Sequence, residues 1–191
     1  MFYSGPFTLV ENEKSKKNNM IEIKRASLLD AGAIAMLGTR TFQETFGHLF
    51  SDQNDLLDYC KKTFSIDKIA NGITKESNIF WLAFYQGTPV GYAKLKLCST
   101  SPFIALENIC QLQKIYVLKA YLSKKIGHQL QNQLLEKAKE MNFEKIWLSV
   151  LKENKRAVQF YEKHGFQEIG VHTFSIGKEV FAFQAMAKTL I

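Results

Sequence analysis

From Ile21 the chain shows readable periodicity. Ile21-Glu22-Ile23-Lys24 alternates with the period of two that a half-buried edge strand requires. Ser27 with Asp30 three residues on marks a helix start, and Ile34, Leu37, Phe42 and Phe46 share one face of a helix running through about Thr45. Residues 53–62 and 66–71 predict two short helices. Two apolar runs, 79–85 and 90–97, flank Gln86-Gly87-Thr88-Pro89, a hairpin signal, and 109–117 predicts a third strand of the same sheet. Residues 122–139 predict a helix from the stripe Ile126, Leu130, Leu134, Ala138. A buried strand over 146–151 and a helix over 154–164 follow, the helix with an Asn cap and a Gly stop. Residues 166–175 and 179–187 close the chain as a hairpin around Gly177.

With 191 residues, 46% of them hydrophobic, the chain buries one sizeable core. We expect one domain over 21–191 and a flexible extension over 1–20, where a four-residue apolar patch precedes a polar run and Met20 stands as a natural start. That patch is too short for a signal-peptide core, and no stretch reaches membrane-spanning length. Cys60, Cys98 and Cys110 are odd in number and widely spaced, which argues against a disulfide framework and for a reducing cytoplasm. His48, His128, His164 and His172 show no metal-ligand spacing, so no metal is expected.

Charge narrows the partners. Lys+Arg number 25 against 18 Asp+Glu, a formal +7, which favours an anionic ligand. The basic residues gather at Lys114, Lys119, Lys124, Lys125, Lys152, Lys155 and Arg156 without the interleaved aromatics of a nucleic-acid surface. A polyphosphate-bearing cofactor accounts for that cluster better than nucleic acid does, and no membrane partner is expected.

The most specific pattern spans 111–166: a strand Gln-Leu-Gln-Lys-Ile-Tyr-Val, a basic turn ending at Gly127, a helix, a strand, then Asn154-x-x-Ala157-x-x-Phe160-Tyr161-x-x-His164-Gly165-Phe166. It resembles the GNAT acetyltransferases, and the order of elements over 21–190 is the one expected for that fold. Thr41-Phe42-Gln43-Glu44-Thr45-Phe46-Gly47, Tyr59, Phe64-Ser65, Gly91-Tyr92-Ala93-Lys94-Leu95, Lys114-Ile115-Tyr116-Val117-Leu118-Lys119 and His172-Thr173-Phe174 resemble the bacterial spermidine/spermine acetyltransferases. The resemblance implies an α/β (α+β) fold with a central mixed, mostly antiparallel sheet flanked by helices. It implies acetyl-CoA as co-substrate and acetyl transfer to a polyamine or other small primary amine, by direct attack in a ternary complex, with an amino-acid derivative among the runner-up acceptors. It leaves room for a homodimer.

The implied site residues fall in three groups. A helix start presents unpaired N–H groups and a positive dipole end, so a pyrophosphate would rest at Ser123, Lys124, Lys125, Ile126, Gly127 and His128, with Leu122 beside it. The family turn carries Gln or Arg, then Gly, then Gly or Ala; here those positions hold Leu122, Lys125 and Gly127. Backbone amides do not depend on the side chain, so acetyl-CoA binding is expected to survive; a lysine in place of glycine at 125 requires that the backbone there keep φ negative. Ile115, Tyr116 and Val117 would pair with a pantetheine arm as an added strand, and the Val117 N–H would face the oxygen that gains charge.

The third group carries the chemistry. Tyr161 is the implied general acid toward the departing thiolate; taken alone, on the stripe Ala157, Phe160, Tyr161, His164, it reads first as a core tyrosine. Asn154 caps its helix in either case and is implied to touch the pantetheine arm. Gln111 stands where related sequences commonly carry Glu, so Glu44, Glu107 or a water must act as base, and Glu44 is the residue we carry forward. A polyamine requires Glu44, Asp52, Asp55 and Asp58 to gather negative charge at the acceptor mouth. Two other functions stay open: an acyl-CoA-binding sensor or inactive interaction domain, in which Gln111, Leu122 and Lys125 mark lost catalysis, and a protein N-terminal or lysine acetyltransferase.

Overall fold

The computed structural model describes residues 20–190, so the extension expected over 1–20 lies outside the described residues except for Met20. β1 is Ile21–Arg25. Ser27 then opens the first helix as its spacing predicts: its N–H donates to Asp30 Oδ2 (2.7 Å), and α1 follows over Ala31–Phe46 with Ile34 and Leu37 fully buried. α2 is Gln53–Thr63 and α3 Ile66–Ile73. β2 (Asn78–Tyr85) and β3 (Thr88–Lys96) are joined by Gln86 and Gly87. Both turn residues have positive φ (49° and 78°), the two-residue turn whose twist suits a hairpin. β4 is Ile109–Val117.

The strands form one seven-stranded sheet in the order β1-β2-β3-β4-β5-β7-β6, where β5 is Lys145–Leu151, β6 Gln167–Ile176 and β7 Glu179–Thr189. Only β4 and β5 pair in parallel; the other neighbours are antiparallel. β2 reads as an unbroken apolar run because both of its faces are covered. Ile79, Trp81 and Ala83 join the core under the later helices, while Phe80 and Leu82 pack with Ile34 and Leu37 of α1. A third cluster, including Phe42, Leu56, Phe64 and Phe181, ties α1 and α2 to the β6–β7 hairpin.

One element begins later than its periodicity predicts. A 3₁₀ stretch occupies Lys119–Lys124, and α4 runs only over Ile126–Glu140. Between them Lys125 adopts the left-handed conformation (φ 59°, ψ 16°), contrary to the expectation that a lysine there keeps φ negative. The stripe is as predicted: Ile126, Leu130, Leu134 and Ala138 are fully buried. Each of those larger side chains contributes about 1.5–3 kcal/mol by leaving water, which outweighs the roughly 1–2 kcal/mol of left-handed strain at Lys125. α5 is Lys155–Lys163; Asn154 caps it by accepting from Ala157 N–H (3.1 Å), and Gly165 stops it at φ 82°.

Candidate active site

The site exists because β4 and β5 separate. They pair only through Ile109↔Lys145, Cys110↔Ile146 and Gln111↔Trp147; β4 continues to Val117 paired to β3 alone. Leu118 N–H donates to Val90 O on β3 (2.9 Å). Strand N–H groups point alternately to the two sides, so those of Val117 and Ile115 face the gap. The β3 backbone crosses close beside this end of β4: a Cβ on Gly91 would lie 2.7 Å from Tyr116 O, so glycine is required there.

A cavity of about 550 Å³ fills the gap. Ile115, Tyr116 and Val117 form one wall, the turn residues Leu122, Ser123 and Lys125 with Gly127 and His128 form a second, and Asn154, Ala157, Phe160 and Tyr161 of the capped α5 form a third. The first backbone bond of α4 runs from Gln129 N–H to Lys125 O (3.2 Å). The N–H groups of Ile126, Gly127 and His128 therefore have no helical acceptor and form an anion-binding end. A Cβ on Gly127 would meet no protein atom within 4 Å, so this turn of helix borders open space. Lys119, Lys125 and Arg156 line the same cavity against the single carboxylate of Glu44. An open strand edge, a bare helix start and three cations form a cradle for an extended ligand that pairs like a strand at one end and carries anionic groups at the other.

Of the residues predicted for this site, two do not line it. Ile126 puts its side chain in the core, and Lys124 Nζ lies over the Tyr85 ring at 5.5 Å. Arg156 and Lys119, noted in the sequence only as part of a basic cluster, do line it, and Lys114 of that cluster lies elsewhere.

Tyr161 is 8% exposed and reaches the cavity, and burial raises its phenol above the ordinary range, so it is protonated at neutral pH. Glu44 is also in the cavity but is engaged: Oε2 accepts from Lys119 N–H (2.9 Å) and Oε1 from Arg40 Nε (2.9 Å). Burial alone would raise its carboxyl, but the Lys119 amide and Arg40 outweigh it and hold it below its ordinary value. A carboxylate so held is a poor proton acceptor.

The two histidines nearest this cavity pair with each other. His164 Nδ1 donates to Phe160 O (2.6 Å), its Nε2 shares a hydrogen bond with His128 Nδ1 (2.8 Å), and His128 Nε2 lies 3.3 Å from Asn132 Nδ2.

A second cavity of about 300 Å³ lies beyond the splay and shares Phe46 and Tyr116 with the first. The β6–β7 hairpin roofs it, held to the segment before α2 by Ser51 N–H donating to Glu179 (2.9 Å) and Lys178 Nζ to Asp52 (3.0 Å). Its polar lining is Gln111, Gln113, Lys114, Ser149 and His172 among aromatic rings. Ser149 Oγ and His172 Nε2 are 2.8 Å apart, and His172 stacks on Phe183. His172, read from the sequence as a structural histidine, thus faces a cavity beside the splay. Its place on β6, across β7 from Ser149 of β5, is set by strand pairing that residue spacing alone does not reveal.

Known proteins resemble the chain in sequence and fold. The model of the "Acetyltransferase (GNAT) family" matches residues 39–166. An uncharacterized N-acetyltransferase of Lactobacillus delbrueckii subsp. lactis is 26% identical over 83% of this chain and 91% of its own length. The spermidine N(1)-acetyltransferase of Thermoplasma acidophilum is 28% identical over 77% and 88%. Among solved structures, the PaiA N-acetyltransferase of Thermoplasma acidophilum in complex with coenzyme A superposes with a TM-score of 0.71 at 22% identity, covering 88% of this chain and 98% of that one.

Proposed function

The chain belongs to the GNAT acetyltransferase family, and on that premise we propose that it transfers an acetyl group from acetyl-CoA to a small primary amine, with the two substrates meeting at the β4–β5 splay. The observation that carries this reading is the junction of the two cavities at Phe46 and Tyr116, one of them backbone-lined and cationic, the other aromatic. Bound acetyl-CoA supplies an activated acetyl group, on which a C–N bond to the amine replaces the C–S bond to the leaving thiolate.

The N–H groups of Ile126, Gly127 and His128, with Lys125 and Arg156, hold the phosphates, and the β4 edge at Ile115 and Val117 holds the pantetheine amides. Leu122, Ser123 and Asn154 complete the walls. Val117 N–H then donates to the acetyl oxygen as charge develops on it, a contribution of about 3–4 kcal/mol where such donors are fixed in advance. Tyr161 donates its Oη proton to the leaving sulfur. The amine reaches the second cavity mostly as ammonium and must lose a proton first. His172, held by Ser149, takes that proton in place of the ion-paired Glu44.

Tyr161→Phe tests the reading. Thiol release with an amine acceptor is expected to fall about 100-fold or more, with acetyl-CoA affinity unchanged by calorimetry. Lost affinity with turnover per bound complex intact would make Tyr161 a packing residue. An acyl-CoA sensor would bind acetyl-CoA and release no thiol with any amine.

A further inference from the structure

The second cavity has an unusual charge balance for a site that accepts cations. None of its lining residues is a carboxylate, and its one cation is Lys114. Lys114 Nζ sits 5.2 Å from both the Phe64 and Tyr116 ring centroids, and among the described residues no carboxylate comes within 4.0 Å of it. Directly across on β3 stands Lys94, on the same face of the sheet, itself over the Phe80 ring at 5.2 Å. Like charges opposite one another on neighbouring strands are destabilising, and apolar side chains of similar length would pack here without that cost. Burial first, then the neighbouring Lys94, brings the Lys114 ammonium down to about 8. Beside them the Tyr92 hydroxyl is buried without a partner among the described residues, its ring 5.6 Å from that of Tyr116.

The carboxylates expected to draw a polycation are engaged elsewhere. Asp52 pairs with Lys178 Nζ (3.0 Å), Asp55 accepts from Lys178 N–H (2.9 Å), Asp58 lies 3.9 Å from Lys61, and Glu44 is held by Arg40 and Lys119. A polyamine would bring its surplus ammonium groups against an unpaired lysine.

We propose that the second cavity takes a primary amine joined to a carboxylate through an apolar or aromatic body, with Lys114 pairing the carboxylate and the surrounding rings holding the body. The proposal rests on the transferase reading, because it makes this cavity the acceptor site. It departs from the polyamine class that the motif resemblance implied.

The test compares thiol release by the full chain with acetyl-CoA and four amines: L-phenylalanine, 4-(2-aminoethyl)benzoate, 2-phenylethylamine and spermidine. At least one carboxylate-bearing amine is expected to exceed both others in kcat/KM by about tenfold or more. Comparing the first two locates the carboxylate beside the amine or across the ring. Lys114→Met is expected to abolish that preference by raising KM with kcat nearly unchanged and acetyl-CoA affinity intact, while Lys114→Arg retains it. Equal or better turnover of 2-phenylethylamine or spermidine overturns the proposal, as does a preference that survives Lys114→Met. Acetyl-CoA binding without calorimetric binding of either carboxylate-bearing amine overturns it as well and leaves the transferase reading standing. Absence of acetyl-CoA binding defeats the transferase reading itself.

Discussion

In the cavity between β4 and α4 the groups turned toward a ligand are largely main-chain N–H groups, at Ile115, Val117 and the start of α4. In the cavity under the β6–β7 hairpin they are side chains, Lys114, Ser149 and His172 among aromatic rings. A main-chain site depends on the path of the chain and tolerates changes of residue. Leu122 and Lys125 depart from the family turn, yet Lys125 takes up the left-handed conformation that glycine adopts most easily. A side-chain site has no such tolerance, because each group carries its own chemistry. On the proposed reading, the first cavity therefore tolerates such departures, whereas the side chains of the second would set the acceptor.

The contrast can be broken most sharply at His172. His172→Gln preserves a partner for Ser149 but removes the proton acceptor, and turnover is expected to fall about 100-fold with acetyl-CoA affinity unchanged. Full activity in that variant would mean that water takes the proton and that the second cavity only shapes the acceptor.

The next effect is on stability against pH. Burial, then Lys96, Lys75 and Lys68, lowers Lys94 from 10.5 to about 8, and burial with Lys94 lowers Lys114 equally. Between those values the unfolded chain binds more protons than the native one, so stability rises with pH. A gain of about 1–3 kcal/mol is expected from pH 8 to 10 in denaturant titrations, and Lys114→Met is expected to remove roughly half of it while stabilising the protein at pH 7. A flat wild-type profile would show that both ammonium groups are well hydrated.

Gly127→Ala separates fold from ligand at the first cavity. Alanine in the first turn of α4 is expected to add about 0.5–1 kcal/mol of stability, because its Cβ meets no protein atom within 4 Å. The same methyl group occupies space assigned to the cofactor, so acetyl-CoA affinity is expected to fall about tenfold, or 1.4 kcal/mol. Unchanged affinity would move the phosphates away from this turn. The smallest effect belongs to Lys125→Gly, with stability changed by no more than about 1 kcal/mol, in the stabilising direction. Its acetyl-CoA affinity is expected to fall by less than tenfold by calorimetry, since one cation is lost while the main-chain donors stay in place.

Those differences follow the limits of what the sequence discloses. The stripe of α4, the Asn154 cap and the Gln86-Gly87 hairpin were legible because each is a local signal read over a few residues. So were Val117, Gly127 and Tyr161 as neighbours, through the motif order that brings them to one cavity. The left-handed Lys125 was not legible, because burial of the α4 stripe supplies the energy that holds it and the side chain itself gives no sign of it. Glu44 lines the first cavity, and its engagement with Lys119, which bears on its use as a base, was not legible because it depends on contact between residues far apart in the chain. His172 and Lys114 reach one cavity only through sheet order, β6 lying outside β7 and β5 beyond it. No spacing along the chain encodes that meeting.

The central claim is that the open edge of β4 and the bare start of α4 together hold acetyl-CoA. Amide hydrogen exchange with and without saturating acetyl-CoA tests it most directly. The account predicts slowed exchange at Ile115 and Val117 and at Ile126, Gly127 and His128. Slowing confined to other segments, or unchanged exchange at these five amides with acetyl-CoA bound, would contradict it.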